Sequence, residues 1–566
     1  MNKQAKGFRL FSKWGLLALP LVGITILGAC STTSSSSSSG NTVLEDLDAI
    51  SGEYSDSILG DHYRAMYEIV PYTFSDSNGD GIGDLKGIEE KLDYIADLYY
   101  DGIWCTPIVS SPTYHKYDST DYYSVDEDFG TLADFDSLVD ALHERDMTYI
   151  FDLAINHTSV EHEWFVEGAE AYMNGDAGNK YAGYYNFETI EAGSYVPTGY
   201  SLVSGSSTVI YECRFWSGMP DLNLQVVLDD GDGDLATEIK NILKFWLVDH
   251  DVDGFRLDAV TSYFTGDTAK NTAFLKWLND YVKSLKPEAY IVGEGAWGNY
   301  SENQTYASSG VDSFFDFNNS DASGIIASSI RKGSANGLAS RMQNSANYAE
   351  PGIAAPFVAN HDKNRMVGVV GGRDDPIKAK LGHALLQLCP GATWNYYGDE
   401  IGMAVSSNAT DSDPNKRLHM YWGDNDTHTT GDAPDTVSYT KESSYPYESV
   451  ADQLSDSDSI LNYVKRVNRL RRQFPAIARG SSSQVEIYTD ESTGGELTII
   501  KKEFAGNEVS DASTIFIALN LSEADVAYGF TDLGQISPLS EVSVEGKSTY
   551  RDGILHVKSH GLVVLG

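Results

Sequence analysis

The chain has 566 residues, a formal net charge of −42 and 41% hydrophobic residues. This length is too great for one ordinary core and suits a barrel of about 250 residues or more with a smaller additional domain. The negative charge argues against nucleic acid and anionic lipid headgroups as partners and favours neutral or cationic ones.

Residues 1–29 have the pattern of a secretory signal. Four basic residues precede an apolar run from position 14 to position 27, and small residues follow at positions 28 and 29. A basic region, an apolar region and a small-residue cleavage site are the parts of such a signal. A plain transmembrane anchor is the alternative, although a run of about 14 residues is short for a spanning helix. The Thr/Ser-rich tract at 31–40 predicts a flexible linker across residues 30–55.

The four cysteines fall into two classes. Cys30 follows Leu27-Gly-Ala, an ending that resembles a bacterial lipobox. The resemblance implies cleavage before Cys30, lipid on its sulfur, and attachment to the extracellular face of the bacterial cell membrane through that lipid alone. The other three, Cys105, Cys213 and Cys389, are widely spaced within apolar sequence and are predicted to be buried free thiols, with one disulfide left open.

The first predicted strand, Ala65 to Phe74, leads into a loop of oxygen-bearing residues. Hard cations bind such oxygen ligands, so we predict a Ca²⁺ site, with Mg²⁺ as the alternative, formed by side chains and one backbone carbonyl: Asp76, Asn78, Asp80, Ile82 and Asp84. The spacing matches that of an EF-hand loop through the ninth position. The twelfth position is Gly87 instead of the Glu of an EF-hand, so the loop is not an EF-hand. A plain turn is the alternative, which the repulsion among three close carboxylates disfavours.

Helical and strand patterns then alternate along the chain. Helices are predicted at 87–98 and 132–145, and strands at 101–108 and 147–155. The alternation stops between 158 and 224, a polar stretch too long for a simple connection, which predicts an inserted domain. It resumes with helices at about 235–249 and 268–285, strands ending at Asp258 and Glu294, strands at 313–317, 356–359 and 393–397, and a helix at 460–474.

Eight strand ends can be counted in this pattern: Phe74, Thr106, Ile155, Leu257, Val292, Phe317, Ala359 and Tyr396. Repeated strand–helix units predict a parallel α/β fold, and eight of them can close a (β/α)8 TIM barrel. We assign residues 56–157 and 225–480 to the barrel and 158–224 to the domain inserted after strand 3. The strand runs without helical period after 481 predict a C-terminal antiparallel β-sandwich domain at 481–566.

Charged groups lie at the predicted strand ends, where the active sites of such barrels are found. They are Asp152, His157, Arg256, Asp258, Glu294, His361 and Asp362. Glycoside cleavage needs one carboxylate to attack the anomeric carbon and a second, kept protonated, to donate to the leaving oxygen and later activate water. An ion pair that only locks the core is the structural alternative for Arg256 and Asp258.

Four ordered motifs resemble those of the α-amylase family of glycoside hydrolases: Asp152 to His157, Gly254 to Ala259, Val292 to Glu294 and Phe357 to Asp362. Residues 219–223 resemble the family's additional motif, and residues 76–84 its calcium loop. The resemblance extends from about Tyr63 to the C-terminus and points to the branch intermediate between oligo-1,6-glucosidases and neopullulanases.

The resemblance implies a role for each matched carboxylate. Asp258 is the implied nucleophile, held ionised by Arg256, and Glu294 is the implied general acid and base. Asp362 would bind the hydroxyls of the distorted sugar and strengthen its hold as the oxocarbenium ion develops. Because two displacements occur at one sugar, the configuration would be retained.

Three further residues are implied to contact the same sugar ring. His157 and His361 would hydrogen-bond it and Tyr117 would stack beneath it, although Tyr117 alone can also be read as a core tyrosine. The chain departs from family patterns at three places: Thr261-Ser262 stands where α-amylases carry Lys-His, Tyr114 where α-glucosidases carry Asp, and Ala259 where α-1,6-cleaving enzymes carry Val.

The differences at Tyr114 and Ala259 favour internal cleavage of α-1,4-glucan, that is starch and maltooligosaccharides. Thr261-Ser262 puts in doubt a reducing-side Lys contact and a second calcium at Asn156. We expect the enzyme to be a monomer at the cell surface. Transfer to another sugar, a cyclomaltodextrinase and an α-glucosidase are alternatives within the same chemistry. A non-catalytic glucan-binding lipoprotein is the alternative from another class, which the presence of all three carboxylates disfavours.

Overall fold

The computed structural model describes residues 42–43, 56–295, 304–345, 352–405, 412–437, 444–504, 514–529 and 538–566. The predicted signal, Cys30 and most of the predicted linker lie outside the described residues. Within the described ranges, no helix has both the length and the apolar character needed to cross a bilayer.

Eight parallel strands form the barrel: β1 (Ala65–Ile69), β2 (Gly102–Cys105), β3 (Thr148–Leu153), β4 (Gly254–Leu257), β5 (Tyr290–Gly293), β6 (Ser313–Asp316), β7 (Ile353–Pro356) and β8 (Thr393–Tyr396). The strands pair in chain order from β1 to β7, and β8 pairs with β1. A bridge between Phe357 and Trp394 joins the ends of β7 and β8 and closes the barrel. The predicted TIM barrel is therefore confirmed.

The first and seventh predicted strands differ most from those in the structure. The first strand ends at Ile69 because Pro71 begins a helical turn, Pro71–Phe74, with proline in the first turn, where its missing N–H costs nothing. The seventh strand is Ile353–Pro356 and not 356–359. Its small residues pair with β6, and the predicted segment instead forms the loop that leads to His361 and Asp362.

Helices surround the barrel at or near the predicted positions. The longer ones are Leu85–Glu90, Leu92–Asp97, Leu132–His143, Asp234–Lys244, Thr268–Leu285, Ile325–Lys332, Asn336–Ser345, Pro376–Gln387 and Ile460–Gln473. Side chains fix where two of them begin. Thr131 and Asp134 form a reciprocal capping box at the start of Leu132–His143, and Asp267 accepts a hydrogen bond from the Lys270 N–H at the start of Thr268–Leu285.

The inserted region folds into elements that its polar sequence did not reveal. A helix, Glu163–Asn174, precedes a three-stranded antiparallel sheet built from Phe187–Thr189, Tyr200–Leu202 and Val209–Glu212. Phe165 packs edge-on against Tyr211 with ring centroids 4.8 Å apart, so helix and sheet share an aromatic core.

The C-terminal region is antiparallel, as predicted. One sheet contains Ser481–Thr489, Glu496–Glu503, Thr514–Asn520, Gly561–Leu565 and Pro538–Glu541; the other contains Thr549–Arg551, Ile554–Val557, Val526–Gly529 and Thr42–Val43. Thr42–Val43 lies within the segment predicted as a linker. These two residues instead form a short strand that pairs with Tyr550 and Thr549. The prediction of buried free thiols is confirmed for Cys105, Cys213 and Cys389.

Candidate active site

One buried guanidinium connects three carboxylates at the carboxyl ends of β3, β4 and β5. Arg256 Nη1 lies 2.6 Å from Asp258 Oδ1 and 2.9 Å from Asp152 Oδ1, and Nη2 lies 2.7 Å from Glu294 Oε2. Arg256 has no solvent exposure, and such a cation is tolerated in a low-dielectric interior only when carboxylates surround it. The barrel thus brings Asp258 and Glu294 to one point.

Burial and the neighbouring charges shift the pKa of both carboxyl groups. Burial raises the pKa of Glu294 to about 7, with the nearby Asp258 and Asp362 adding to the rise and Arg256 opposing it. Burial also raises the pKa of Asp258, but the 2.6 Å contact with Arg256 favours its ionised form. A carboxylic acid that keeps its proton near neutral pH beside a carboxylate paired with arginine can supply an acid and a nucleophile together.

A second charged chain runs along the opposite side of the barrel mouth. His361 donates from its backbone N–H (3.1 Å) and from Nδ1 (2.6 Å) to Glu68 Oε1, a carboxylate on β1. Its Nε2 lies 3.2 Å from Asp362 Oδ2, and Arg417 Nη2 lies 2.6 Å from Asp362 Oδ1.

These contacts fix the charges of His361 and Asp362. Burial lowers the pKa of His361, but Asp362 and Glu68 outweigh it and raise the pKa to about 10, so the ring is an imidazolium ion at neutral pH. Burial raises the pKa of Asp362, but His361 and Arg417 hold it well below its usual range. Asp362 is therefore an ionised acceptor with two cations behind it.

Tyr117 and His157 complete the mouth of the barrel. The Tyr117 ring lies nearly parallel to that of His361, with centroids 5.6 Å apart, and its hydroxyl donates to Asp152 Oδ2 at 3.1 Å. His157 is buried, and its Nε2 has no hydrogen-bond partner among the described residues. Since burial lowers the pKa of His157 to about 4, the ring is neutral at neutral pH and keeps one unsatisfied nitrogen.

A family model described as the catalytic domain of alpha amylase matches residues 68–480. The chain belongs to the α-amylase family of glycoside hydrolases. The match spans most of the barrel and the whole inserted domain, and the family's four motifs are the segments that converge at the mouth just described.

Other members of the family resemble the chain over most of their length. Alpha-amylase 3 of Dictyoglomus thermophilum is 33% identical over 437 residues, which is 74% of this chain and 79% of that protein. Oligo-1,6-glucosidase of Parageobacillus thermoglucosidasius is 28% identical over 487 residues, 74% of this chain and 84% of that protein. The solved structure of Eubacterium rectale Amy13B is 34% identical with a TM-score of 0.80, covering 92% of this chain and 99% of that one.

Sequence reasoning missed two charged residues of this α-amylase-family site. Glu68 gave one signal, a single carboxylate inside the apolar strand Ala65–Ile69, where it is 1% exposed. Arg417 gave none, because it lies in a loop after β8. Besides Asp362 it binds the His361 carbonyl through Nε (3.1 Å) and the Tyr114 hydroxyl through Nη1 (3.1 Å).

In the predicted cation loop, side-chain oxygens accept hydrogen bonds from backbone N–H groups of the same loop. Asp76 accepts hydrogen bonds from three loop N–H groups, Asn78 Oδ1 accepts from Asp80 N–H at 2.9 Å, and Asp80 Oδ1 from Ile82 N–H at 2.8 Å. Asp84 instead caps the helix Leu85–Glu90. Across the described ranges, no group of three or more His, Cys, Asp or Glu residues is placed to hold a metal ion. The loop offers only oxygen ligands, which suit a hard cation.

Proposed function

We propose that this enzyme hydrolyses internal α-1,4-glucosidic bonds of starch and maltooligosaccharides with retention of configuration. The observation that carries the proposal is the convergence of Asp258 and Glu294 on the single guanidinium of Arg256, at 2.6 and 2.7 Å. Two carboxyl groups at one point, one to attack and one to transfer the proton, are what a double displacement requires.

In the first displacement, an oxygen of Asp258 attacks the anomeric carbon of the sugar. The glycosidic C–O bond breaks as Glu294 gives its proton to the leaving oxygen, and a glycosyl ester of Asp258 forms. The pKa of about 7 for Glu294 supports this role because the proton is available near neutral pH. Arg256 helps by keeping Asp258 ionised until it reacts.

In the second displacement, Glu294 takes a proton from water while the water oxygen attacks the same carbon. The ester bond breaks, Asp258 leaves as a carboxylate, and Glu294 has regained its proton. Asp362 accepts hydrogen bonds from hydroxyls of the sugar, and its charge stabilises the positive oxocarbenium ion in both steps. His157 donates or accepts a further hydroxyl contact through its free Nε2.

Two single positions support the proposed bond specificity. Tyr114 stands where α-glucosidases hold an Asp for a terminal glucose, and the Tyr114 hydroxyl is already bound by Arg417. Ala259 also differs from the Val of α-1,6-cleaving enzymes. Products from amylose, pullulan, maltoheptaose and cyclodextrin test the proposal. We expect a series of oligosaccharides of different lengths from amylose. Glucose as the only product would favour an α-glucosidase, and rapid opening of cyclodextrin would favour a cyclomaltodextrinase. Products longer than the substrate would favour a transferase.

We also propose that the loop 76–84 binds Ca²⁺, with Mg²⁺ as the alternative, through Asp76, Asn78, Asp80, the Ile82 carbonyl and Asp84. The all-oxygen set of ligands supports a hard cation, and the two turn glycines with positive φ, Gly79 and Gly81, permit the tight wrap. A bound ion would stabilise the loop and the helix Leu85–Glu90 that follows it; no catalytic step involves it.

For location, we propose that the enzyme is a monomer held at the outer face of the cell membrane by lipid on Cys30. The basic, apolar and small-residue regions of residues 1–29 support this proposal. Labelling of cells with a radioactive fatty acid tests it: label is expected in the wild-type protein and absent from Cys30→Ser. Unlabelled protein in the membrane fraction would favour the transmembrane alternative.

A further inference from the structure

An exposed aromatic pair lies on a turn of the inserted domain. Phe215 and Trp216 are each 52% exposed. Among the tryptophans that the structure describes, Trp216 alone is exposed, and the others are buried or partly buried. Large apolar rings held in water cost free energy, and where they cluster beside a cleft they commonly mark a binding surface.

Gly218 determines how the Trp216 ring lies. A Cβ atom added at Gly218 would stand 2.2 Å from Cζ3 of the indole, so the ring lies directly on the glycine. The surrounding turn is fixed by three hydrogen bonds: Met219 N–H to the Trp216 carbonyl, Val160 N–H to the Gly218 carbonyl, and the Tyr211 hydroxyl to the Ser217 carbonyl. One face of the indole is thus supported by a rigid turn while much of the ring remains open to water.

The turn adjoins the active site. The Phe215 ring lies 5.5 Å from the ring of His157, centroid to centroid. The chain that follows the turn also pairs with the site, because His157 forms a β-bridge with Asp221. The aromatic pair therefore continues the surface of the barrel mouth outward onto the inserted domain.

We propose that Trp216, with Phe215 beside it, is a stacking platform for a glucose unit of an α-glucan chain, outside the unit held at Asp258 and Glu294. This inference rests on the proposed function. The flat faces of a pyranose are covered by C–H groups, and an indole offers a matching apolar surface with little loss of side-chain entropy. A neutral chain also suits a protein whose net charge is −42.

The test compares Trp216→Ala with the wild type in two assays. In the inactive background Asp258→Asn, we expect maltoheptaose to bind roughly tenfold more weakly after loss of the ring, as for removal of an aromatic anchor. In the active enzyme, we expect kcat/KM to fall by a similar factor for maltoheptaose and by less for the shorter maltotriose. Tyr195→Ala, at a tyrosine 81% exposed on the same domain, is the matched control and should change neither assay.

Gly218→Ala provides a second variant that keeps the tryptophan. Its φ is an ordinary one, so the new methyl group acts only by displacing the indole, and weaker maltoheptaose binding is expected here too. Unchanged maltoheptaose binding and kcat/KM in Trp216→Ala would overturn the platform. Failure of the wild type to cleave any α-glucan would instead overturn the proposed function, and the binding assay would still decide on the platform.

Discussion

Glu68 receives two hydrogen bonds from His361, one from the backbone N–H at 3.1 Å and one from Nδ1 at 2.6 Å, although the residues are 293 positions apart. Both side chains are 1% exposed. A carboxylate behind a buried imidazole orients the ring and stabilises its charged form. Through His361, Glu68 therefore helps to hold Asp362 ionised from a buried position.

Replacement of Glu68 by Gln tests this chain of charges. The amide keeps the shape and one acceptor but loses the negative charge, so the pKa of His361 should fall from about 10 by at least about one unit. Titration of the histidine ring by NMR, assigned with His361→Asn, measures it. Glu400→Gln is the control, since Glu400 is also a buried carboxylate but binds Tyr67 and Tyr94 away from the site. An unchanged His361 titration in Glu68→Gln would refute the role of Glu68.

The raised pKa of Glu294 predicts that stability and activity both fall as pH rises. Burial raises the pKa of Glu294 to about 7 in the folded enzyme, against an ordinary value of 4.5 for a glutamic acid. As pH rises through this window, the unfolded chain ionises first, so the folded state loses stability. Activity should also fall above about pH 7, when the acid loses its proton.

Glu294→Gln separates these effects. It should abolish acid catalysis, and its Tm relative to the wild type should be higher at pH 8 than at pH 5, because the amide escapes the cost of ionisation in a buried site. Glu491→Gln, at an exposed position, should show no such trend. A Tm difference that stays constant with pH would mean that the Glu294 pKa is not raised.

Arg417 is expected to act on catalysis by positioning Asp362. Arg417→Gln leaves Asp362 with His361 as its cationic partner and removes the 2.6 Å contact. Because the role proposed for Asp362 is to stabilise the transition state, we expect kcat to fall by more than tenfold with a smaller change in KM. Arg417→Lys can restore the ion pair alone and should recover part of kcat. An increase confined to KM would indicate a contact with ground-state substrate instead.

Cation binding at the loop 76–84 is measured by stability and not by activity. Saturating Ca²⁺ at about 100 times its Kd should stabilise the fold by about 2.7 kcal/mol, and a chelator should lower Tm correspondingly. Asp80→Asn keeps the 2.8 Å bond to the Ile82 N–H but removes one charge, so it should weaken the Ca²⁺ response. Asp321→Asn, in a similar turn outside the loop, is the control. A Tm that changes with neither Ca²⁺ nor the chelator would exclude a cation site at this loop.

The sequence predicted those features that depend on local pattern. Charged residues directly after apolar runs, such as Asp258 after Gly254–Leu257, located the barrel mouth because parallel strands end on one side. The hydrophobic pattern gave wrong strand bounds where single residues determine the backbone. Pro71 ended the first strand early, and the small residues of Ile353–Pro356 concealed the seventh.

Contacts between residues far apart in the sequence could not be predicted either. Nothing near Arg417 in the sequence signals its contact with Asp362, 55 positions away, because a loop residue has no periodicity from which to infer its direction. The exposure of Trp216 was equally hidden, since it depends on a turn packed against Gly218. These residues adjoin the active site but are positioned by tertiary structure alone.

The most direct test of the mechanism compares reducing ends released from amylose by the wild type and by Asp258→Asn, with Tm measured on both. The asparagine preserves the shape of the side chain beside Arg256 but cannot form the glycosyl ester. We predict a loss on the order of 10⁴-fold with the fold intact, as for removal of a covalent nucleophile. Wild-type rates from a folded Asp258→Asn would contradict the account.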